Sequence, residues 1–269
     1  MLFTPAHHFC DIDQQLLQNK GFLNPHSRRS QLAQEMRRIK RPLLLNIQKA
    51  GAIDSTLPPA NLIMITSALP GEGKTFISIN LALSMASELD RRVLLVDADV
   101  ARGDVSRQLE LPPSRGLSDL LQESNYLGED GVKTSNIERL SILPAGEPVD
   151  HIDELFASEM MSHITLALAE ADPQRVVIFD APPLIHTTEA AVLARRMGQT
   201  VVVVEANRTP QAAVRQALAQ LEECPNVSLV LNKATGKSAA GYGYGYGYGS
   251  DGRSTSDEVA AGGRPQQPE

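Results

Sequence analysis

At 269 residues, with 42% hydrophobic content and a formal net charge of −7, the chain can bury a sizeable core and has no general attraction for polyanions, which argues against a nucleic-acid partner. No apolar run approaches the ~18–20 residues of a membrane span, and the start, MLFTPAHHFCDIDQQ, lacks the basic-then-apolar layout of a signal peptide. Cys10 and Cys224 stand far apart with no CxxC pattern, which fits a reduced compartment and two inert thiols.

In chain order, residues 1–30 read as a polar, irregular extension. A basic segment at 31–50 follows, in which RRSQLAQEMRRIKRPLLLNI (28–47) predicts a helix interrupted near Pro42, because an interior proline removes a donor and crowds the preceding turn. Arg28, Arg29, Arg37, Arg38, Lys40 and Arg41 give it a dense basic face. Such a face suits solvation with a Glu35–Arg38 pair, or contact with anionic lipid.

From 51 to 233 the pattern changes. Aliphatic runs at LIMIT (62–66), RVLLVD (92–97), LSIL (140–143), RVVIFD (175–180), TVVVVEA (200–206) and VSLVL (227–231) alternate with helical patterns near 74–89, 116–122, 152–171, 188–197 and 210–222. Nearly continuous apolar strands joined by helices predict one doubly wound α/β domain, a mostly parallel sheet with helices on both faces.

Directly after the first of these strands, ALPGEGKT (68–75) has the spacing of a phosphate-binding loop, with Ala68 where the generic pattern has glycine. Gly71 and Gly73 let the Pro70–Phe76 loop, Glu72 included, turn its successive N–H groups (all but that of Pro70, which has none) toward the β- and γ-phosphates of ATP at a helix N-terminus. Lys74 would reach the same oxygens and Thr75 would present its hydroxyl to Mg²⁺. Carboxylates end two further strands: Asp97 and Asp99 in VLLVDADVARGD, and Asp180 in VVIFDAPP. Acidic groups at strand C-termini downstream of a phosphate loop point to metal and phosphoryl chemistry. Asn232, ending VSLVLN, is a candidate for the purine edge.

The final segment, 234–269, is rich in Gly, Ser, Ala, Pro and charge, and is expected to be a disordered tail. It holds four of the five tyrosines, Tyr242, Tyr244, Tyr246 and Tyr248, in GYGYGYGYG; the fifth is Tyr126. Glycine beside every phenol keeps the backbone free to lie extended in an active site, so these tyrosines are the expected phosphate acceptors.

SALPGEGKT, VLLVDADVAR and VVIFDAPP together resemble the Walker A, A′ and B motifs of the bacterial tyrosine kinases of polysaccharide export, over about residues 30–235. The tail and the 28–44 segment resemble, more narrowly, the exosortase-associated tyrosine autokinases. The resemblance implies a P-loop fold and an ATP- and Mg²⁺-dependent protein-tyrosine autokinase that regulates exopolysaccharide synthesis or export. Asp97 would accept or orient the tyrosine proton, Thr75, Asp99 and Asp180 would hold the metal and its waters, and Lys74 would neutralise charge during transfer. The family's E-x-x-R-x-x-R assembly motif falls on Glu35, Arg38 and Arg41, which implies a homo-oligomer, in the form of a ring. A separate transmembrane chain-length regulator would hold the chain at the cytoplasmic side of the inner membrane. Two departures stand out: Arg102 falls one residue beyond the arginine that often follows the second Walker A′ aspartate, and Pro42 follows the assembly motif directly. Partition and septum-placement ATPases share these motifs but carry a signature lysine where this chain has Leu69.

Overall fold

The computed structural model describes residues 9–24, 29–50, 57–123 and 131–234; Arg28, Tyr126 and the tail tyrosines Tyr242, Tyr244, Tyr246 and Tyr248 lie outside them. Strand β1 (Phe9–Cys10) and helix α1 (Gln14–Asn19) precede the long helix α2 (Gln31–Ala50). Then come β2 (Leu62–Ser67), α3 (Lys74–Ala86), β3 (Arg92–Asp97), α4 (Asp104–Gln108) and α5 (Leu117–Leu121). The short strands β4 (Lys133–Ser135) and β5 (Leu140–Leu143) lead into α6 (Ile152–Ala157) and α7 (Glu159–Glu170). The remainder runs β6 (Arg175–Asp180), α8 (Glu189–Ala194), β7 (Gln199–Glu205), α9 (Gln211–Ala219) and β8 (Val227–Asn232).

The strands form one sheet in the order β1-β4-β5-β3-β6-β2-β7-β8, parallel throughout except for the β4–β5 pairing. Alternate residues of the central strands feed two cores. Leu62, Met64, Val96 and Phe179 face one side, against α5 to α9; Ile63, Ile65, Leu95 and Ile178 face the other, against α1 to α4. Burial on both faces is why these strands read as unbroken apolar runs. The central β2 carries the phosphate loop at its C-terminal end, with β6 on one flank and β7 on the other. Strand order therefore reverses around the loop, the position where open α/β sheets place their ligands.

Four expectations need correction. Residues 9–24, expected to be irregular, contribute a strand and a helix: β1 pairs with β4, Cys10, Ile12, Leu17, Phe22 and Leu23 are buried, and Phe22 stacks on Phe76 at 5.4 Å. Single apolar residues that each meet a distant partner leave no period to read. Pro42 does not interrupt α2, which runs unbroken from Gln31 to Ala50 with Ala33, Met36, Lys40 and Leu43 buried; tertiary packing outweighs the one hydrogen bond that proline removes. Lys40 leaves the basic face altogether, donating to Ser84 O at 2.7 Å and pairing with Glu88 at 2.6 Å. The single helix expected over 152–171 is two, because Ser158 is extended and its hydroxyl caps α7 through Met161 N at 3.3 Å.

Candidate active site

The phosphate loop depends on two left-handed residues, Gly71 at φ +85° and Gly73 at φ +96°. A side chain on Gly73 would also collide with the amide of Asn232. The loop is fastened from behind. Glu72 is buried, and its carboxylate accepts from Leu69 N at 2.6 Å, from Glu205 N at 3.3 Å and from the Thr209 hydroxyl. Asn232 Nδ2 donates to Glu72 O at 2.8 Å and Lys233 Nζ to Gly71 O at 2.7 Å, so the end of β8 is pinned to the loop. The structure thus places the amide of Asn232 on the loop backbone, and Phe76 under the Phe22 ring. Pro70 is exposed at the lip.

Sheet register brings the carboxylates together. Asp97 and Asp180 are Cα partners on β3 and β6, and Asp99 follows two residues beyond Asp97. All three are buried. Asp180 is held at both oxygens, by the Thr75 hydroxyl at 2.7 Å and the Ser78 hydroxyl at 2.9 Å. Asp97 Oδ2 accepts from Val105 N at 3.0 Å and Ser106 N at 3.4 Å, while its Oδ1 is buried with no hydrogen-bond partner.

Lys74 sits among these groups. Its ammonium is 2.7 Å from Asp99 Oδ2, 3.4 Å from Thr75 Oγ1, 3.8 Å from Asp180 Oδ2 and 3.9 Å from Asp104 Oδ2. Burial disfavours the charged lysine, but Asp180, Asp99 and Asp104 outweigh burial and raise its pKa. Burial also raises Asp180, against the pull of Lys74 and the Thr75 and Ser78 hydroxyls. Asp97 is pushed well above the carboxylate range by burial and then by the Asp180 charge, with the Ser106 and Val105 N–H groups opposing. A buried carboxylate with a raised pKa and a free oxygen has the character of a proton acceptor.

A divalent cation fits this set. The ammonium already stands as a positive charge among Thr75, Asp99 and Asp180, the three residues expected at the metal. Among the described residues no group of three or more His, Cys, Asp or Glu could hold a metal alone. Mg²⁺ characteristically takes one or two carboxylates and completes its shell with phosphates and water. Ser78 and Asp104 escaped the sequence reading. Ser78 lies one helical turn beyond Lys74, a spacing that offered a signal; Asp104 has none, since one acid in a loop is unremarkable.

The remaining predicted residues lie elsewhere. Glu35, Arg38 and Arg41 are exposed on one side of α2. Glu35 accepts from Gln31 Nε2 at 2.8 Å, and among the described residues neither Arg38 nor Arg41 has a carboxylate partner.

Residues 60–228 match the model of the AAA domain family. The chain is 31% identical over 184 residues to the tyrosine-protein kinase YwqD of Bacillus subtilis, covering 67% of this chain and 76% of that one. It is also 31% identical over 183 residues to the tyrosine-protein kinase ptk of Acinetobacter johnsonii, covering 68% of this chain but only 24% of the relative. Among solved structures, the BceF tyrosine kinase domain superposes with a TM-score of 0.63 at 26% identity, over 81% of this chain and 86% of that one.

Proposed function

Because the chain belongs to the bacterial tyrosine-protein kinases, we propose that it transfers the γ-phosphoryl group of ATP to tyrosines of its own tail, Tyr242, Tyr244, Tyr246 and Tyr248, in a neighbouring copy. The observation that carries this reading is the convergence of Thr75, Asp99 and Asp180 around the Lys74 ammonium, beside a loop whose glycines turn its backbone toward a phosphate.

In this reading the loop amides and the N-terminus of α3 bind the phosphates, and Lys74 swings from Asp99 to the β- and γ-oxygens. Thr75, Asp99 and Asp180 would hold Mg²⁺, which would supply positive charge to offset the charge that develops on the phosphates. Asp97 receives the phenol proton. Most of the catalysis is positioning, and positioning is what buried, hydrogen-bonded carboxylates supply.

Assembly belongs to the same reading, with Glu35, Arg38 and Arg41 meeting a second subunit in a ring. No helix among the described residues is long and apolar enough to cross a membrane, and the chain spans about a quarter of some relatives. In this reading a separate transmembrane regulator recruits it to the cytoplasmic face of the inner membrane, where it controls exopolysaccharide synthesis or export.

Intact mass after incubation with Mg-ATP tests the function. Increments of one phosphate should appear, vanish in Lys74→Met, and be lost when the four tail tyrosines are changed to Phe. ATP turnover without a mass change would instead identify a switch ATPase.

A further inference from the structure

Helix α4, at five residues, is far below the ~12–15 at which a helix becomes even marginally stable by itself, yet it touches the site twice. Val105 N and Ser106 N, in its first turn, donate to Asp97 Oδ2 at 3.0 and 3.4 Å. Asp104, paired with Arg107, brings its Oδ2 to 3.9 Å from the Lys74 ammonium. The N-cap, Gly103, makes no side-chain bond that would hold the helix in place. Its other end is held from residues 9–24. Lys20 Nζ donates to Gln108 O, the last carbonyl of α4, at 2.8 Å and pairs with Glu110 at 3.0 Å. A cation there satisfies a carbonyl that the helix leaves open and complements the helix dipole.

Two residues further on, the same stretch grips α3. The Phe22 ring stacks on Phe76, which directly follows Thr75, with ring centroids 5.4 Å apart. Leu23 N donates to Asn80 Oδ1 at 2.7 Å, and Asn80 Nδ2 donates to Phe76 O at 2.7 Å. Phe22, Leu23 and Asn80 are all buried, so water does not compete for these contacts. Helix α3 carries Lys74 and Thr75, and α4 carries the donors to Asp97. The stretch from Lys20 to Leu23 therefore spans the two helices on which the halves of the site depend.

We infer that Lys20 and Phe22 are positioning residues: the Lys20–Leu23 stretch braces α4 against α3 and so fixes Asp97 relative to the phosphate loop, an inference that rests on the kinase reading above. Lys20 acts through α4 on the step in which Asp97 takes the phenol proton. Phe22 acts through Phe76 on the loop that binds the phosphates. The two residues therefore differ in kinetic effect, Lys20 bearing on the rate of transfer and Phe22 on nucleotide affinity.

The test uses the full chain with Lys20→Met, Lys20→Arg and Phe22→Leu made singly. Phosphate incorporation at saturating Mg-ATP is followed by intact mass, affinity is measured with a non-hydrolysable ATP analogue, and amide hydrogen exchange is followed over 103–109. Lys20→Met should exchange the Val105 and Ser106 amides at least threefold faster and incorporate phosphate at least threefold more slowly, with the nucleotide Kd unchanged; Lys20→Arg should restore both. Phe22→Leu should raise the nucleotide Kd at least threefold. Parent-like exchange or a parent-like rate in Lys20→Met, or a parent-like Kd in Phe22→Leu, overturns the brace. Faster exchange across the whole domain, with rate and affinity falling together, also overturns it, since that is the mark of a fold merely destabilised. Faster exchange confined to α4 and reversed by Lys20→Arg, with no phosphate incorporated even by the parent chain, supports the brace and overturns the kinase reading.

Discussion

Asp97 and Asp180 are the two residues at which the site stores unfavourable electrostatics. Asp97 is fully buried beside Asp180 with one oxygen unbonded, and both carboxylates titrate above their ordinary values. The folded state therefore binds more protons than the unfolded one between the two pKa values, and stability falls as pH rises through that window. Asp97→Asn keeps the shape, and its amide oxygen retains the Val105 and Ser106 hydrogen bonds. It should abolish transfer yet, by removing a buried charge beside Asp180, stabilise the fold near neutral pH by about 1 kcal/mol or more, although the new amide is still buried without a partner. In denaturant titrations the gain should shrink as pH falls toward the carboxylate range; a destabilised variant at neutral pH would contradict this account. Lys74 makes a complementary prediction. With its ammonium 2.7 Å from Asp99, a metal must displace it unless phosphates draw it away first. Lys74→Met should therefore bind Mn²⁺ without nucleotide at least tenfold more tightly, about 1.4 kcal/mol, by electron paramagnetic resonance. Equal affinities would mean that the lysine and the metal do not compete.

At the scale of elements, α2 separates two jobs by face. One side buries Ala33, Met36 and Leu43 and ties Lys40 to α3; the other exposes Glu35, Arg38 and Arg41. Charges of both signs, with neither arginine paired to a carboxylate among the described residues, suit a contact between subunits. Changing all three to Ala should lower the assembled mass in light scattering and reduce tail phosphotyrosine. Because the residues are exposed, the unfolding free energy should move by no more than about 0.5 kcal/mol. Unaltered assembly would return the stripe to solvent.

Over the whole molecule, the charge of the tail bears on assembly. Four phosphates at about −1.5 to −2 each add roughly −6 to −8 to a chain already at −7. Assembled mass should fall after Mg-ATP treatment and hold steady in the chain with four tail Phe substitutions. Much of this architecture was legible in the sequence because β2, β3 and β6 are buried on both faces, and because the turns at Gly71 and Gly73 need glycine. Residues 9–24 were illegible, since Ile12 and Leu23 are fixed by Asn136 and Asn80, more than fifty positions away. The hold of Glu72 on the loop was hidden as well: its partners, Glu205 and Thr209, come together only when β7 lies beside β2. The β3–β6 register that sets Asp97 beside Asp180 has one more consequence, for amide hydrogen exchange. Those strands lie in the middle of the sheet, so their amides should exchange only through global unfolding, while the 182–187 loop opens more often. The carboxylates would then outlast the loop beside them: on warming, metal and nucleotide binding should persist until the whole domain melts.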